Sequence, residues 1–280
     1  MSGDQCSRLA ISYDTRGWDL FMREWTVIFL PQDMDTEIGQ PFMIKSWQDP
    51  MVMNGGRLVW PDKFAVVSGA ASGIGRACVE RLQDFSYMMQ LLDLNATEGS
   101  AIEKIDLSKT RPVIRRAPDL VVVSHGIGGL GRGWEEVIAT NLYGVRNVVE
   151  PCIERMVADK HPGCIVVIAS MTGVVVGNRG MSVSNYAASK GAVAGYVRQR
   201  AVEVAPYDIR INAICPGPVV TPMTQRLKNE NPDLYKEFFG RCLLPGSIGP
   251  FDVADAVLAV AGMRKMTGQL VVVDGGYTIW

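Results

Sequence analysis

Histidine is almost missing from this chain. Only His125 and His161 occur in 280 residues, too few for a metal centre built on imidazoles. The six cysteines, at positions 6, 78, 152, 164, 215 and 242, contain no Cys-x-x-Cys pair, which removes the usual zinc and dithiol signatures. Several lie inside apolar runs, as in Cys164-Ile165-Val166-Val167 and Ile214-Cys215, and read as reduced core thiols of a cytoplasmic protein. Neither sign of charge dominates, since 28 basic residues face 29 acidic ones. The chain therefore carries no electrostatic footprint for nucleic acid or an anionic membrane. It also lacks an uninterrupted apolar run of membrane-spanning length, roughly 18 residues, and Met1-Ser2-Gly3-Asp4-Gln5-Cys6 lacks the basic start of a secretory signal. The remaining picture is an ordinary globular composition, 48% hydrophobic and 20% charged, ample for a large core. The expectation is a soluble, metal-free protein with a small-molecule partner, no nucleic acid and no membrane.

Residues 1–60 differ from the rest of the chain. They hold Trp18, Trp25, Trp47 and Trp60, four of the six tryptophans, and no helix-period run. Trp25 to Leu30 reads as a strand and Pro41 to Trp47 as a second, with the acidic 31–40 segment as the turn. Two readings stay open: a hairpin-like arm packing on the main domain or a neighbouring subunit, or an adventitious leader. Residues 61–280 read as one domain.

From Lys63 the pattern is strand–helix alternation, the mark of an α/β fold. Phe64 to Ser68 is a buried strand running into Gly69-Ala70-Ala71-Ser72-Gly73-Ile74-Gly75 and a helix from Arg76 to about Gln83. Glycines at such a turn let backbone N–H groups approach a pyrophosphate, and the helix N-terminus favours its charge. A second strand, Met88 to Leu92, ends at Asp93, 18 residues past Gly75. A carboxylate there accepts from both hydroxyls of an adenosine ribose and repels a 2′-phosphate, so NAD is favoured over NADP. Further strands are predicted over Ala101–Ile105, Leu120–Ser124, Cys164–Ser170, Arg210–Ile214 and Gln269–Val273, making seven. Long helices are predicted from Trp134 to about Lys160 and from Tyr186 to about Ala205, and a polar, proline-containing excursion over 222–249 is placed to cover a substrate.

The helix at Asn185-Tyr186-Ala187-Ala188-Ser189-Lys190 carries the chemistry. Tyr186 and Lys190, four residues apart, share one helix face. A free phenol titrates near ~10, too high for a base at neutrality, and a neighbouring ammonium pulls it down. Such a pair can take a proton from an alcohol or give one to a ketone. Alone it fits equally an amphipathic helix with a buried tyrosine and a solvated lysine.

Taken in order, these motifs resemble the short-chain dehydrogenase/reductase family of the NAD-dependent kind, over about residues 60–277. Ser68-Gly69-x-x-x-Gly73-Ile74-Gly75 resembles its Thr-Gly-x-x-x-Gly-x-Gly turn. Asn141, Ser170 and the Tyr186-x-x-x-Lys190 pair match its catalytic set, and Pro216-Gly217-Pro218-Val219-Val220-Thr221 resembles its Pro-Gly-x-Val-x-Thr segment. The resemblance implies a Rossmann-type, doubly wound, seven-stranded parallel sheet flanked by helices, with an N-terminal extension. It implies cofactor contacts at Gly69, Ser72, Gly73, Ile74, Gly75, Asp93, Leu94, Asp106, Leu107, Ser124, Gly126, Tyr186, Lys190, Pro216, Gly217, Val219 and Thr221. In the family's scheme Ser170 holds the substrate oxygen, Tyr186 moves the proton, Lys190 lowers the tyrosine pKa and binds the nicotinamide ribose, and Asn141 bends its helix around a relay water. A homotetramer or homodimer is also implied, built from the 134–160 and 186–205 helices and the last strand.

Three departures stand out. The family's Asn-Asn-Ala-Gly reads Val123-Ser124-His125-Gly126 here, so the asparagine that braces the sheet is lost; His125 either compensates by hydrogen bonding or tolerates a wider pocket, and a structural role is the preferred reading. The 13 residues from Asp93 to Asp106 are too few for a full connecting helix, and the stretch from Asp106 to Ser124 is also short. The adenine side is therefore expected to be open or patched by the N-terminal arm. Met171, Thr172, Val174, the 177–185 loop, Pro218 and the 222–245 excursion should wall the substrate pocket, with Arg179 and Arg226 the candidate exceptions to its apolar character. That mostly apolar wall implies a neutral, moderately hydrophobic secondary alcohol or ketone as substrate. The alternatives are an NADPH-dependent carbonyl reductase and a dinucleotide-binding protein without turnover.

Overall fold

Buried runs of valine, isoleucine and leucine pair side by side into one sheet. The computed structural model describes residues 63–177 and 180–280, together with the backbone of two short strands, β1 (Val52–Asn54) and β2 (Arg57–Val59), which pair antiparallel. The expected arm over Trp25–Leu30 and Pro41–Trp47 lies outside the described residues, as does Arg179. The main sheet comprises β3 (Phe64–Ser68), β4 (Met88–Asp93), β5 (Ile102–Lys104), β6 (Leu120–Val123), β7 (Gly163–Ile168), β8 (Ile209–Pro216) and β9 (Leu270–Val273). Their order is β5-β4-β3-β6-β7-β8-β9, and every neighbouring pair is parallel. This is the expected seven-stranded α/β sheet.

Both faces of the sheet are covered, which is why its central strands are continuously apolar instead of alternating. Successive side chains point to opposite faces. Val66, Val121, Ile165 and Val167 pack with α3 (Gly144–Ala158) and α4 (Ser184–Val204). Ala65, Val67, Val122 and Val166 pack with α1 (Gly73–Asp84) and α7 (Pro250–Gly262). Strand order reverses between β3 and β6, and the carboxyl ends of strands at such a point form the usual ligand crevice. The turn after β3 opens there. Gly69 and Gly73 sit at φ +71° and +54°, and a Cβ on Gly75 would lie 2.1 Å from the Gly69 carbonyl oxygen. Close approach of α1 to the turn thus requires a glycine. Gly75→Ala is expected to cost about 2 kcal/mol, read as a lower urea midpoint; an unchanged midpoint would contradict this packing.

Among the described residues no helix joins β4 to β5 or β5 to β6, as the short spacings predicted. The uncovered sheet edge leaves a shallow cavity of about 230 Å³ bordered by Met89, Leu91, Ile102, Glu103 and Arg115. One expectation needs correction. The helix predicted from Trp134 to Lys160 is interrupted: α2 (Trp134–Ile138) passes through a π-helical turn, Ala139–Tyr143, before α3 begins. The polar 222–249 excursion is largely helical, with α5 (Pro222–Glu230) and α6 (Pro232–Gly240) each started by a proline in the first turn, where the missing N–H has no helical partner anyway.

Candidate active site

The glycine-rich turn forms an anion cradle. Ser72 precedes α1 in an extended conformation and makes no side-chain cap, so the first N–H groups of the helix lack that partner and point outward with the positive end of the helix dipole. Gly73 lies against Thr221, whose methyl would be 3.5 Å from an added Cβ. The turn after β3 and the turn after β8 therefore face each other across the crevice, with Pro216 at the end of β8 and Gly217 and Val219 just beyond it. The residues fit a nicotinamide dinucleotide: glycine cradle, uncapped helix N-terminus and a carboxylate at the end of the next strand.

Asp93 occupies that position at 8% exposure. One carboxylate oxygen accepts from the backbone N–H of Ala71 at 3.0 Å and the other from that of Asn95 at 2.7 Å. Asp93 thus braces the cradle as well as presenting charge beside it. Leu94 is exposed next to it. Asp106 is held below the usual carboxylate range by hydrogen bonds from Ser108 and Lys109, and its oxygens are committed to its own turn. The Leu107 side chain is buried in the core, so only its backbone can meet a ligand. Ser124 and Gly126 come directly after β6, and a Cβ at Gly69 would lie 2.8 Å from the Ser124 carbonyl carbon.

The four candidate catalytic residues converge. Ser170 is the second residue after β7; its hydroxyl lies near enough to the Tyr186 phenol to hold down that phenol's pKa in part, and it accepts from the Thr172 N–H at 3.1 Å. Lys190, buried one helical turn beyond Tyr186, places Nζ 5.7 Å from the phenol ring centre and donates to the Ile168 carbonyl at 2.9 Å. Asn141 sits inside the π-helical turn. Its Oδ1 accepts from the Ile127 N–H at 2.8 Å, and its Nδ2 donates to the Ile127 carbonyl at 2.9 Å and to Ser189 Oγ at 3.2 Å. A Cβ at Gly126 would lie 3.1 Å from Asn141 Oδ1 and 3.7 Å from Lys190 Nζ, so the two polar groups meet across that glycine.

Burial raises the Tyr186 phenol above its ordinary value, the nearby Ser170 hydroxyl opposes this in part, and Cys215 adds to the rise. Lys190 is turned onto the Ile168 carbonyl, and the same burial pushes its own pKa down to about 8. The substrate wall differs from expectation. Met171 and Thr172 are buried, leaving Val175 exposed and Val174 and Val176 partly accessible in that loop, while Arg226 pairs with Glu230 on the exposed side of α5.

Two residues of the helix motif have roles that spacing did not reveal. Asn185 Oδ1 accepts from the Tyr186 N–H at 2.7 Å, and its Nδ2 donates to the Gly129 and Arg132 carbonyls. Ser189 Oγ donates to the Tyr186 carbonyl at 2.7 Å and accepts from Asn141. Both are buried polar residues flanking the pair, which was the available signal. Among the described residues no group of His, Cys, Asp or Glu is placed to hold a metal, and no helix is long and apolar enough to cross a membrane.

A parallel α/β sheet with a glycine cradle at its switch point, and a hydroxyl, a phenol and an ammonium gathered beside it, defines a dinucleotide-dependent oxidoreductase. The chain belongs to the short-chain dehydrogenase/reductase family. A family model described as enoyl-(acyl carrier protein) reductase matches residues 129–278. Galactitol 2-dehydrogenase (L-tagatose-forming) of Cereibacter sphaeroides is 32% identical over 233 residues, covering 81% of this chain and 87% of that enzyme. A 3-oxoacyl-(acyl-carrier-protein) reductase of Thermotoga maritima is 38% identical over 249 residues, covering 78% and 98%. A mutant 4-hydroxyisoleucine dehydrogenase, solved with NADH and succinate, superposes with a TM-score of 0.69 at 27% identity over 78% of this chain and 99% of that one. The protein is thus an oxidoreductase acting on alcohol or carbonyl groups with NAD(P).

Proposed function

We propose that the protein oxidises a neutral, moderately hydrophobic secondary alcohol with NAD. The observation that carries this reading is the Ser170–Tyr186 hydroxyl pair beside the glycine cradle, with Lys190 one turn away. The bound dinucleotide supplies the hydride acceptor at its nicotinamide ring. Ser170 holds the substrate oxygen, so the carbinol carbon is oriented before reaction. Tyr186, as phenolate, takes the hydroxyl proton as the carbonyl forms. Lys190 would hold the ribose hydroxyls of the bound dinucleotide and lend its charge to the phenol. Asn141 steadies the π-helical turn through which the proton leaves.

A neutral substrate is supported by Val174 and Val175, and by the cations of α5 being engaged elsewhere. Arg226 pairs with Glu230 and Lys228 lies over the Tyr235 ring. Preference for NAD rests on Asp93, which sets a negative charge where a 2′-phosphate would sit. Asp93→Ala is expected to weaken NAD binding about tenfold and to raise relative affinity for NADP, since like-charge repulsion of this kind is worth roughly 1 kcal/mol or more. Parallel titrations with both dinucleotides check this; an unmoved ratio removes the assignment. A panel of cyclic and acyclic secondary alcohols with NAD, tracked as NADH absorbance at alkaline pH, tests the whole reading, and absence of turnover across the panel would leave dinucleotide binding alone. A cytoplasmic setting accords with the buried free thiols of Cys78, Cys152, Cys164 and Cys215. A homotetramer or homodimer accords with the exposed Tyr143, Val202, Tyr207, Ile279 and Trp280 on the π-helical turn, on and just after α4, and at the C-terminus.

A further inference from the structure

His125 stands directly between the cofactor cradle and the π-helical turn, and the proton path does not use it. We infer that His125 is a positioning residue whose imidazole props the π-helical turn open and so fixes Asn141 beside Lys190. The kinetic part of this inference rests on the dehydrogenase reading; the structural part does not.

One end of the ring is tied to the cradle. His125 Nδ1 lies 2.7 Å from Ser68 Oγ, on the last residue of β3. Ser68 Oγ also accepts from the Ser124 N–H at 3.3 Å, and with its second lone pair or its own proton it can hold Nδ1 in either tautomer. Burial, with the charge of Lys190 adding, pushes the imidazole pKa down to about 3, and the ring is neutral throughout the working range. The other end is wedged into the turn. Nε2 is sealed from solvent and has no hydrogen-bond partner among the described residues. A Cβ at Gly144 would sit 2.7 Å from Nε2 and 3.3 Å from Cδ2. Gly144 is the residue whose N–H reaches back five positions to the Ala139 carbonyl and closes the π-helical turn. The imidazole therefore occupies the space a side chain would take at that closure. Two residues along the same strand exit, the Ile127 backbone grips Asn141 from the other side. The turn is held between these two contacts, and Asn141 is aimed by them.

The test uses asparagine, whose side-chain amide overlays the Nδ1 half of the ring and lacks the half that meets Gly144. In His125→Asn, amide hydrogen exchange across 139–145 of the protein without dinucleotide is expected to quicken roughly tenfold. kcat should fall about tenfold while the NAD dissociation constant stays within about twofold, because misplaced groups slow the chemical step more than binding. Gly144→Ala alone should show the same two defects through collision with the ring. The double variant should recover most of both, since the alanine methyl fills the space the ring left. Wild-type exchange over 139–145 in His125→Asn, or a harmless Gly144→Ala, would overturn the inference. If the wild-type protein turns over no alcohol, the exchange measurements still decide the structural part.

Discussion

Tyr186→Phe is expected to lower alcohol oxidation by about 10³-fold, within the range that loss of a positioned acid or base produces. Dinucleotide affinity and the thermal midpoint should stay near wild type, because the ring and its packing remain and only one oxygen is removed. Residual activity near the wild-type rate would refute the assignment of the phenol as proton acceptor. The pH dependence has a definite sign. A buried phenol with a raised pKa is protonated at neutrality, so oxidation, which needs the phenolate, should climb toward alkaline pH. Reduction of the corresponding ketone needs the protonated form and should fall over the same range.

Lys190→Met is the second large effect, and it separates catalysis from stability. Oxidation should drop about 10²-fold or more, and the Michaelis constant for the dinucleotide should rise, since both the charge and a ribose hydrogen-bond donor are lost. Stability should move the other way at neutral pH if burial governs the lysine. Its folded pKa of about 8 lies below the ordinary lysine value of 10.5. Between those values the unfolded chain binds more protons than the folded one, so this group's contribution is present above the unfolded pKa and is lost as pH falls through about 8. The stability difference, wild type minus Lys190→Met, should therefore grow from pH 8 to 10.5 by at most about 3 kcal/mol, taking ~1.36 kcal/mol for each pKa unit. Urea midpoints of both proteins at about pH 7 and about pH 9.5, on either side of the folded value, measure it. A difference independent of pH would mean that the Ile168 carbonyl fully offsets the desolvation of the ammonium.

Much of the site was legible because its signals are local. The glycine turn announces itself through residues that must approach backbone closely, and Gly75 against the Gly69 carbonyl shows the contact that demands it. The strands were legible because parallel strands buried on both faces read as continuous apolar runs, as Leu120–Val123 does. Tyr186 and Lys190 were legible because helical spacing alone places them on one face. The missing helices around β5 could be read from the chain length between aspartates.

Other features depend on which distant segments touch. That Asp93 braces Ala71, that Asn141 clasps Ile127 and that Asn185 holds the Gly129 and Arg132 carbonyls required the strand order to be known. The same holds for Met171, counted among the pocket walls by position and buried by packing. Residue types and spacings thus determined the α/β class, the glycine turn at the head of α1 and the placing of Tyr186 and Lys190 on one helix face, while the role of that pair came from the family resemblance. Only the tertiary structure decided that Lys190 rests on Ile168 and that His125 meets Gly144 at the π-helical turn. The reason is that a side chain's protonation and aim depend on how much water packing removes and which backbone groups it brings near, and neither is encoded in spacing along the chain.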